Sequence, residues 1–282
     1  MKATKLAASW LAFLGLVMVA SATRAAAQEG AAAAQRGNAA PQAGSDAVIA
    51  RNLANPVAAM ISVPFQNNLD FGGGRGDALR FRMNFQPVVP ITLSPDWNLI
   101  SRTILPFQSE SDVYPSDRTG LGDTLQSFFL SPARPWNGVI VGGGPALYLP
   151  TATNGFGQRQ WGAGPTGVVL RQSGGWTYGI LANHIWSLGG TPIGQEAINS
   201  TYLQPFLLYN FPGGTTTYLN SESTYDWSRR QWLVPINVGV NQLVRIGSQP
   251  LQIGAGFRYY AEKPEGGPDW GVRLTLTFAF PR

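Results

Sequence analysis

The feature that most constrains this chain is a period of two that runs from Met60 to the C-terminus. Segments in which apolar and polar side chains alternate are interrupted about every ten residues by Gly, Pro, Asn or Ser. The last segment places Val272, Leu274, Leu276, Phe278 and Phe280 on one face and Gly271, Arg273, Thr275 and Thr277 on the other. Successive side chains of a strand point to opposite faces, so one face of each strand is apolar and the other is polar and can contact water. Strands of this kind predict an all-β fold, a transmembrane antiparallel β-barrel.

Composition narrows the fold further. The 282 residues include 34 Gly and 21 Pro but no Cys, and only 12% are charged. So many turn-forming residues favour many short strands over helices. After the N-terminal leader, no apolar run reaches the roughly 20 residues that a membrane-spanning helix needs. The absence of cysteine excludes a disulfide framework and thiol chemistry.

The N-terminus has the three parts of a secretory signal peptide. Lys2 and Lys5 provide positive charge in front of an apolar run. The run, residues 6–20, is followed by the small-residue cleavage site Ala25-Ala26-Ala27. It is too short to cross a bilayer as a helix. We therefore expect residues 1–27 to be a cleaved signal peptide and the mature protein to leave the cytoplasm.

Residues 28–56 precede the strands and are expected to form a periplasmic lead-in. Their first part is rich in Ala, Gln and Gly and has no periodicity. A short helix is predicted over Ser45–Leu53, with Ser45 or Asp46 as its N-cap, and Pro56 stops it. We expect this helix to rest at the periplasmic mouth of the barrel or within its lumen. The barrel itself is expected to occupy residues 57–282.

The alternating segments number about twelve, an even count that places both ends of the barrel in the periplasm. They are predicted at about 57–70, 79–92, 97–108, 122–131, 138–149, 161–171, 176–187, 199–211, 215–226, 232–246, 250–261 and 270–280. Every second connection is short, at 94–96, 134–137, 173–175, 212–214 and 247–249. Membrane barrels of this class have short periplasmic turns and longer outer loops, so we assign the short connections to the periplasm.

The positions of tryptophan agree with this topology. Trp161, Trp186, Trp232 and Trp270 fall near the outer strand ends, and Trp97, Trp136 and Trp176 fall near the periplasmic ends. Two girdles of interfacial aromatics are typical of membrane barrels. The tryptophans of a soluble β-sandwich would not be confined to strand ends. The expected surroundings are therefore outer-membrane lipid and lipopolysaccharide.

At the level of whole segments the chain resembles a known family of bacterial outer-membrane proteins. The resemblance runs from about Asn55 to Arg282. It is carried by Asn55-Pro56-Val57-Ala58, Ile61-Ser62-Val63-Pro64-Phe65-Gln66-Asn67-Asn68, Asp96-Trp97-Asn98-Leu99-Ile100, Thr119-Gly120-Leu121-Gly122-Asp123, Gly164-Pro165, Trp186-Ser187, Gln204-Pro205-Phe206, Tyr209-Asn210, Asp226-Trp227, Gly267-Pro268-Asp269-Trp270 and Phe280-Pro281-Arg282. The family is known as meta-pathway phenol-degradation components or simply as transporters, and is often mislabelled neuromedin U. The resemblance implies a barrel that passes small solutes, aromatic degradation intermediates among them.

The sequence offers little for catalysis. His184 is the only histidine, which removes multi-histidine metal centres. We expect neither enzyme activity nor a cofactor. A lipid hydrolase with an outward-facing triad stays open as a third hypothesis, although Ser187 has the opposite strand parity to His184 and would point to the other face. Once the leader is removed, cations exceed acids only slightly, so no nucleic-acid partner is expected.

The polar faces of several strands carry arginine. Arg80 and Arg82 lie opposite the apolar stripe of the second strand, so we expect them to point into the lumen. The full lumen-lining set is predicted to be Arg80, Arg82, Arg102, Arg258 and Arg273, with the acids Glu222 and Asp226 on the ninth strand. An arginine wall facing an acidic patch would favour anions, including carboxylates of aromatic breakdown products. Alternatively, the arginines pair with the acids and merely fill the lumen.

The sequence therefore supports two hypotheses about function besides the hydrolase. The first is a channel or facilitator for the uptake or efflux of small solutes. The second is a narrow, side-chain-filled barrel with a structural, adhesive or lipopolysaccharide-binding role. Conductance in planar bilayers separates them.

Protease added to intact cells tests the topology. We expect any cleavage to fall in the outer connections 109–121, 150–160, 188–198 or 262–269, because these long connections face the medium. Mapping of the fragments by mass spectrometry is the measurement. Cleavage at 173–175 in intact cells would show that the topology is inverted or wrong.

Overall fold

Each alternating segment of the sequence forms a strand that pairs antiparallel with its neighbours. The computed structural model describes residues 40–74, 78–113, 116–189 and 195–281. Its elements are α1 (Ala40–Leu53), β1 (Ile61–Phe71), β2 (Leu79–Phe85), β3 (Val88–Thr92), β4 (Trp97–Ser111), β5 (Arg118–Leu121), β6 (Thr124–Pro132), β7 (Val139–Leu149), β8 (Gly162–Ser173), β9 (Trp176–Ser187), β10 (Asn199–Asn210), β11 (Thr215–Ser221), β12 (Ser223–Asp226), β13 (Gln231–Ile246), β14 (Gln249–Glu262) and β15 (Trp270–Phe280). The chain divides into two compact units, Met1–Ser45 and Asp46–Arg282, and the second contains all the strands. The expected signal peptide, residues 1–27, lies outside the described residues.

The strands close into a barrel. β15 pairs with β1, from Ile61 opposite Phe280 to Phe71 opposite Trp270, and β9 pairs with β10 to complete the circle. Three pairs of consecutive strands, β2 with β3, β5 with β6 and β11 with β12, are halves of single crossings. The barrel therefore has twelve crossings, which confirms the predicted architecture. Closure leaves no strand edge to be satisfied in lipid.

The three interrupted crossings have local causes. Between β2 and β3, Pro87 has no N–H to donate to a ladder. Between β5 and β6, the chain passes so close to β4 that a Cβ on Gly122 would lie 2.7 Å from the Pro106 ring. Between β11 and β12, Glu222 stays in register opposite Pro235, whose carbonyl accepts from the Glu222 N–H at 3.3 Å but which has no N–H to donate in return. The Glu222 side chain lies on the inward face of this crossing, where its carboxylate pairs with Arg273.

The outer surface of the barrel is apolar. The exposed large side chains include Val169, Tyr178, Ile180, Leu207, Leu219, Val238, Val240, Ile253 and Phe257. The seven tryptophans assigned to girdles are all exposed at the ends of strands or in adjacent turns. Among the described residues, no helix is long and apolar enough to cross a membrane. An apolar band between two aromatic girdles is the surface of an outer-membrane β-barrel.

One side of the lumen is filled by apolar side chains. They come from the segment before β1 and from β4, β6, β8, β9 and β10, and they are Val57, Ile100, Phe129, Val168, Leu170, Leu181 and Phe206. Ile100 and Phe129 are fully buried. These inward apolar residues make the pattern of their strands irregular, because both faces are then partly apolar. The cluster leaves the polar part of the lumen on the opposite wall.

The predicted helix is present, but it begins at Ala40 rather than at Ser45. Consequently Asp46 lies inside α1 and is not its N-cap. Its carboxylate instead accepts hydrogen bonds from Arg245, at 2.6 and 2.9 Å, close to the β13–β14 turn. The predicted first strand is also shortened. It was expected from residue 57 and begins at Ile61.

The second half of α1 docks at the periplasmic ends of the strands. Ile49 is buried against Met60, Leu243 and Ala279. Arg51 donates to the carbonyl of Gly174 at 3.1 Å, in one of the short turns. The second half of α1 is therefore held against this end of the barrel by apolar packing and by polar contacts with the strand ends.

Deletion of residues 28–54 should open the periplasmic mouth. We expect the barrel to insert normally, because its ladder and girdles are untouched, and its single-channel conductance to increase. Planar-bilayer recordings measure the change, and exchange of the exposed α1 residue Val48 for Ala provides a control that leaves the docking contacts intact. If the deletion variant and the full-length protein had equal conductance, residues 28–54 would not obstruct the channel and would only be attached to the barrel.

Candidate functional site

The polar wall of the lumen is organised around Glu222. Its two carboxylate oxygens accept hydrogen bonds from both terminal nitrogens of Arg273, at 2.7 and 2.8 Å. Arg258 adds a third contact at 3.4 Å. Glu222 lies at the break between β11 and β12, so the contacts pass β13 to reach β14 and β15. A two-pronged arginine–carboxylate pair of this kind has a defined geometry as well as attraction.

The same arginines are held by polar residues of β1. Asn68 accepts hydrogen bonds from Arg258 at 3.0 Å and from Arg273 at 2.8 Å. Asp70 accepts from Arg258 at 3.0 Å, and Arg258 also donates to the Tyr260 hydroxyl at 2.9 Å. Arg258 and Arg273 are almost fully buried. Buried guanidinium groups require partners of this kind because their desolvation is costly.

The β1 partners were absent from the predicted site, although alternation could have identified them. Gln66, Asn68 and Asp70 alternate with Phe65 and Leu69 along one strand, in the same way as the arginines of β2. The closing pairs of β1 with β15 and with β2 then place Asn68 opposite both Arg273 and Arg82. The sequence pattern is therefore informative for Asn68 and Asp70, and only the closing register shows which arginine each residue meets.

An outer vestibule of about 570 Å³ lies above this network. Arg80 lines it and is 3.9 Å from Glu110, while its terminal nitrogens donate to the carbonyls of Gly72 at 2.9 Å and Gly266 at 2.6 Å. Glu110 makes its closer ion pair, at 2.7 Å, with Arg118. Arg80 thus supports the loops at the vestibule rim through these carbonyls, and it shares the Glu110 carboxylate with Arg118.

The loop between β14 and β15 is fixed over the vestibule. Lys263 donates to the carbonyl of Gly267 at 3.1 Å and forms an ion pair with Asp269. The hydrogen bond from Lys263 lowers the pKa of the Asp269 carboxyl, which lies outside the strands in solvent. The loop is therefore closed by an exposed ion pair whose acid is ionised at neutral pH.

Two inward arginines remain without a carboxylate. Among the described residues, Arg82 has one hydrogen bond, from its Nε to Gln108 at 3.0 Å. Within the same part of the chain, the Arg102 side chain also makes one hydrogen bond, which it donates to the Gln86 side chain at 3.0 Å. Gln86 in turn donates to Gln66. Arg82 belongs to the vestibule, and Arg102 lies opposite Val88 nearer the periplasmic end.

Asp226 differs from its predicted role in the lumen. Its carboxylate accepts hydrogen bonds from the backbone N–H groups of Ser228 at 2.9 Å and Arg229 at 3.0 Å. Asp226 therefore caps the tight outer turn between β12 and β13, because an aspartate before a turn can satisfy N–H groups that have no ladder partner. Strand parity alone does not distinguish a residue in the lumen from one at the strand end.

His184 lies on the outer face, at the level of the outer girdle. Its Nδ1 is 2.7 Å from the Thr201 hydroxyl, which accepts a hydrogen bond from the Trp227 indole at 2.8 Å. The ring also contacts Trp186, with a centroid distance of 4.0 Å. Ser187 points to the other face, where it donates to Gln160 at 2.8 Å. Nothing in this arrangement joins His184 to Ser187.

Asp123, from the Thr119–Asp123 motif, fastens an outer loop. Its buried carboxylate accepts hydrogen bonds from the N–H groups of Ala152 at 3.0 Å and Arg159 at 3.1 Å. A Cβ on Gly157 would collide with this carboxylate, so the loop needs glycine there. Within the described ranges, no group of three His, Cys, Asp or Glu side chains is placed to hold a metal ion.

Comparisons with known proteins support the fold. No family model matches the chain. No curated protein matches it either. The crystal structure of an outer-membrane channel from Pseudomonas putida F1 is similar, with 17% identity and a TM-score of 0.60, over 78% of this chain and 94% of that one. The NanC porin is 11% identical with a TM-score of 0.49, and the match covers 78% of this chain and 100% of the porin. Outer membrane phospholipase A from Escherichia coli is 14% identical with a TM-score of 0.45, and the match covers 83% of this chain and 98% of the phospholipase.

The likeness to the Pseudomonas putida channel agrees with the barrel, the girdles and the apolar band described above. The protein is thus a bacterial outer-membrane β-barrel of twelve strands. An identity of 17% establishes the fold and leaves the transported molecule to the residues of this chain.

Replacement of Glu222 by Gln should destabilise the barrel. The amide keeps the shape but removes the charge, and breaking a buried ion pair costs about 3 kcal/mol. We expect a lower guanidinium midpoint in unfolding followed by tryptophan fluorescence in vesicles. Glu196→Gln is the matched control, because the pair of Glu196 with Arg229 is exposed and contributes at most about 1 kcal/mol. Equal midpoints for the two variants would contradict the central role of Glu222.

Proposed function

We propose that this protein is an outer-membrane channel for small amphipathic solutes, and that small aromatic carboxylates are the class it takes. The observation that carries the proposal is the division of the lumen into two walls. One wall is apolar, the other carries arginine, glutamine and asparagine, and the two meet at β4, which provides both Ile100 and Arg102. A molecule with an apolar ring and an anionic group has a complementary surface for each wall.

The channel role is supported by the fold that the chain shares with the Pseudomonas putida outer-membrane channel. The aromatic class is supported by the resemblance of the sequence to the phenol-degradation family. Neither resemblance assigns a function to individual residues of this chain. The proposed class of solute therefore rests on the chemistry of the side chains that line the lumen.

The pairing of charges predicts weak anion selectivity. Arg258 and Arg273 are compensated by Glu222 and Asp70, and Arg80 lies beside Glu110. Arg82 and Arg102 have no carboxylate within 4.0 Å in the described part of the chain, and we expect these two charges to attract an anion most. Two uncompensated charges bias permeation, whereas a whole wall of five would exclude cations strongly.

The plug determines when the path is open. The half of α1 from Asp46 onward covers the periplasmic mouth and is held by Ile49, Arg51 and the Asp46–Arg245 pair. Asp46 and Arg245 are each about one-fifth exposed, so the pair contributes only about 1 kcal/mol. A plug with modest polar contacts can be displaced without unfolding the barrel.

The packing of the lumen also favours the second candidate, a side-chain-filled barrel with a structural or lipopolysaccharide-binding role. The apolar cluster and the Glu222 network fill much of the cross-section. Single-channel recordings separate the candidates. Discrete openings are expected for the channel, and a filled barrel would remain silent even after deletion of residues 28–54.

Reversal potentials under a potassium chloride gradient test the selectivity. We expect the wild-type channel to prefer chloride weakly and the Arg82→Gln/Arg102→Gln double variant to lose this preference. Arg134→Gln is the control, because Arg134 is exposed in a periplasmic turn. Cation preference in the wild type, or an unchanged double variant, would contradict the proposal.

A further inference from the structure

A small chamber lies just inside the plug. Its volume is about 140 Å³, and it is bounded by the end of α1 and by the barrel wall. The end of α1 contributes Asn52 and Leu53, and the wall contributes Val88, Gln204 and Arg102. The chamber thus combines amides, apolar side chains and one guanidinium group.

The guanidinium group of Arg102 is held in place but not satisfied. Its single hydrogen bond among the described residues goes to Gln86, whose own N–H donates to the carbonyl of Pro64 at 2.9 Å. Gln86 is buried and also bonded to Gln66, so it fixes one edge of the guanidinium. An arginine has five N–H donors, so most of those of Arg102 have no protein acceptor among the described residues and are open to a ligand.

The other inward arginines show what Arg102 lacks. Arg273 has a two-pronged contact with Glu222, and Arg258 is bonded to Asp70. No carboxylate lies within 4.0 Å of Arg102 in the part of the chain that the structure describes. A carboxylate supplied from outside would complete the same kind of pair.

The size of the chamber limits the rest of the molecule. An apolar cavity of about 150 Å³ in another protein accommodates benzene. A chamber of about 140 Å³ therefore has room for one six-membered ring. Leu53 and Val88 offer an apolar surface to such a ring.

We infer that Arg102 and the end of the plug form a binding site for a small aromatic monocarboxylate, whose carboxylate pairs with the Arg102 guanidinium while its ring packs on Leu53 and Val88. The inference rests on the proposed function, for which it names the inner binding site. Because Asn52 and Leu53 come from α1, the site is complete only while the plug is docked. The occupant contacts plug and wall together, so binding favours the docked state.

Binding of 4-fluorobenzoate, followed by fluorine NMR line broadening on the purified barrel in detergent, tests the site. We expect wild-type protein to broaden the signal beyond empty micelles, and Arg102→Gln to weaken binding by about ten-fold or more. The uncharged analogue 4-fluorobenzyl alcohol should bind at least about ten-fold more weakly than the carboxylate for the same reason. Arg134→Gln, in an exposed turn, should bind like wild type.

Two further variants keep the test decisive if Arg102→Gln does not fold. Asn52→Leu should weaken binding by narrowing the chamber, and deletion of residues 28–54 should abolish binding by removing one wall. Full affinity in these variants, or in a folded Arg102→Gln, would overturn the site. Absence of binding in wild type would overturn it as well, whereas the proposed function fails only if reversal potentials and single-channel recordings fail.

Discussion

The structure depends on the contact between Glu222 and the two buried arginines, Arg258 and Arg273. The strand faces that line the lumen bring these cations together, and without an anion they would be held in a space of low polarity. Glu222 supplies that anion from the inward face of the crossing formed by β11 and β12, and its carboxylate reaches past β13 to Arg258 and Arg273. The neutrality of this part of the interior therefore depends on Glu222 together with Asp70, the other carboxylate bonded to Arg258.

Much of this architecture follows from the sequence. A period of two, turn residues and the alternation of short and long connections predict the twelve crossings, and the tryptophans predict their ends. The interior is less predictable, since Ile100 and Phe129 face inward and blur the alternation of β4 and β6. The bounds of α1 were also missed, because Ser45 and Asp46 have the residue types of an N-cap, yet Asp46 serves Arg245 instead.

The candidate site illustrates a second limit. Parity brings Glu222, Arg258 and Arg273 to one wall, but it also assigns Asp226 to the lumen, whereas the Asp226 carboxylate caps a turn between β12 and β13. Side chains on strands that are not neighbours in the sequence can still contact each other across the wall, as Glu222 and Arg273 do. These contacts decide which arginines have a carboxylate partner. Alternation fixes the face of a side chain and says nothing of the length of its reach.

The pairing of β1 with β15 has a consequence for how the barrel assembles. Asn68 and Asp70 on the first strand receive hydrogen bonds from Arg258 and Arg273 on the last two. These bonds can form only when the two ends of the sheet meet, so a partly assembled sheet carries cations whose partners are still distant. Closure and charge compensation are then one cooperative step, and the completed ring has an electrostatic reason not to reopen at its seam.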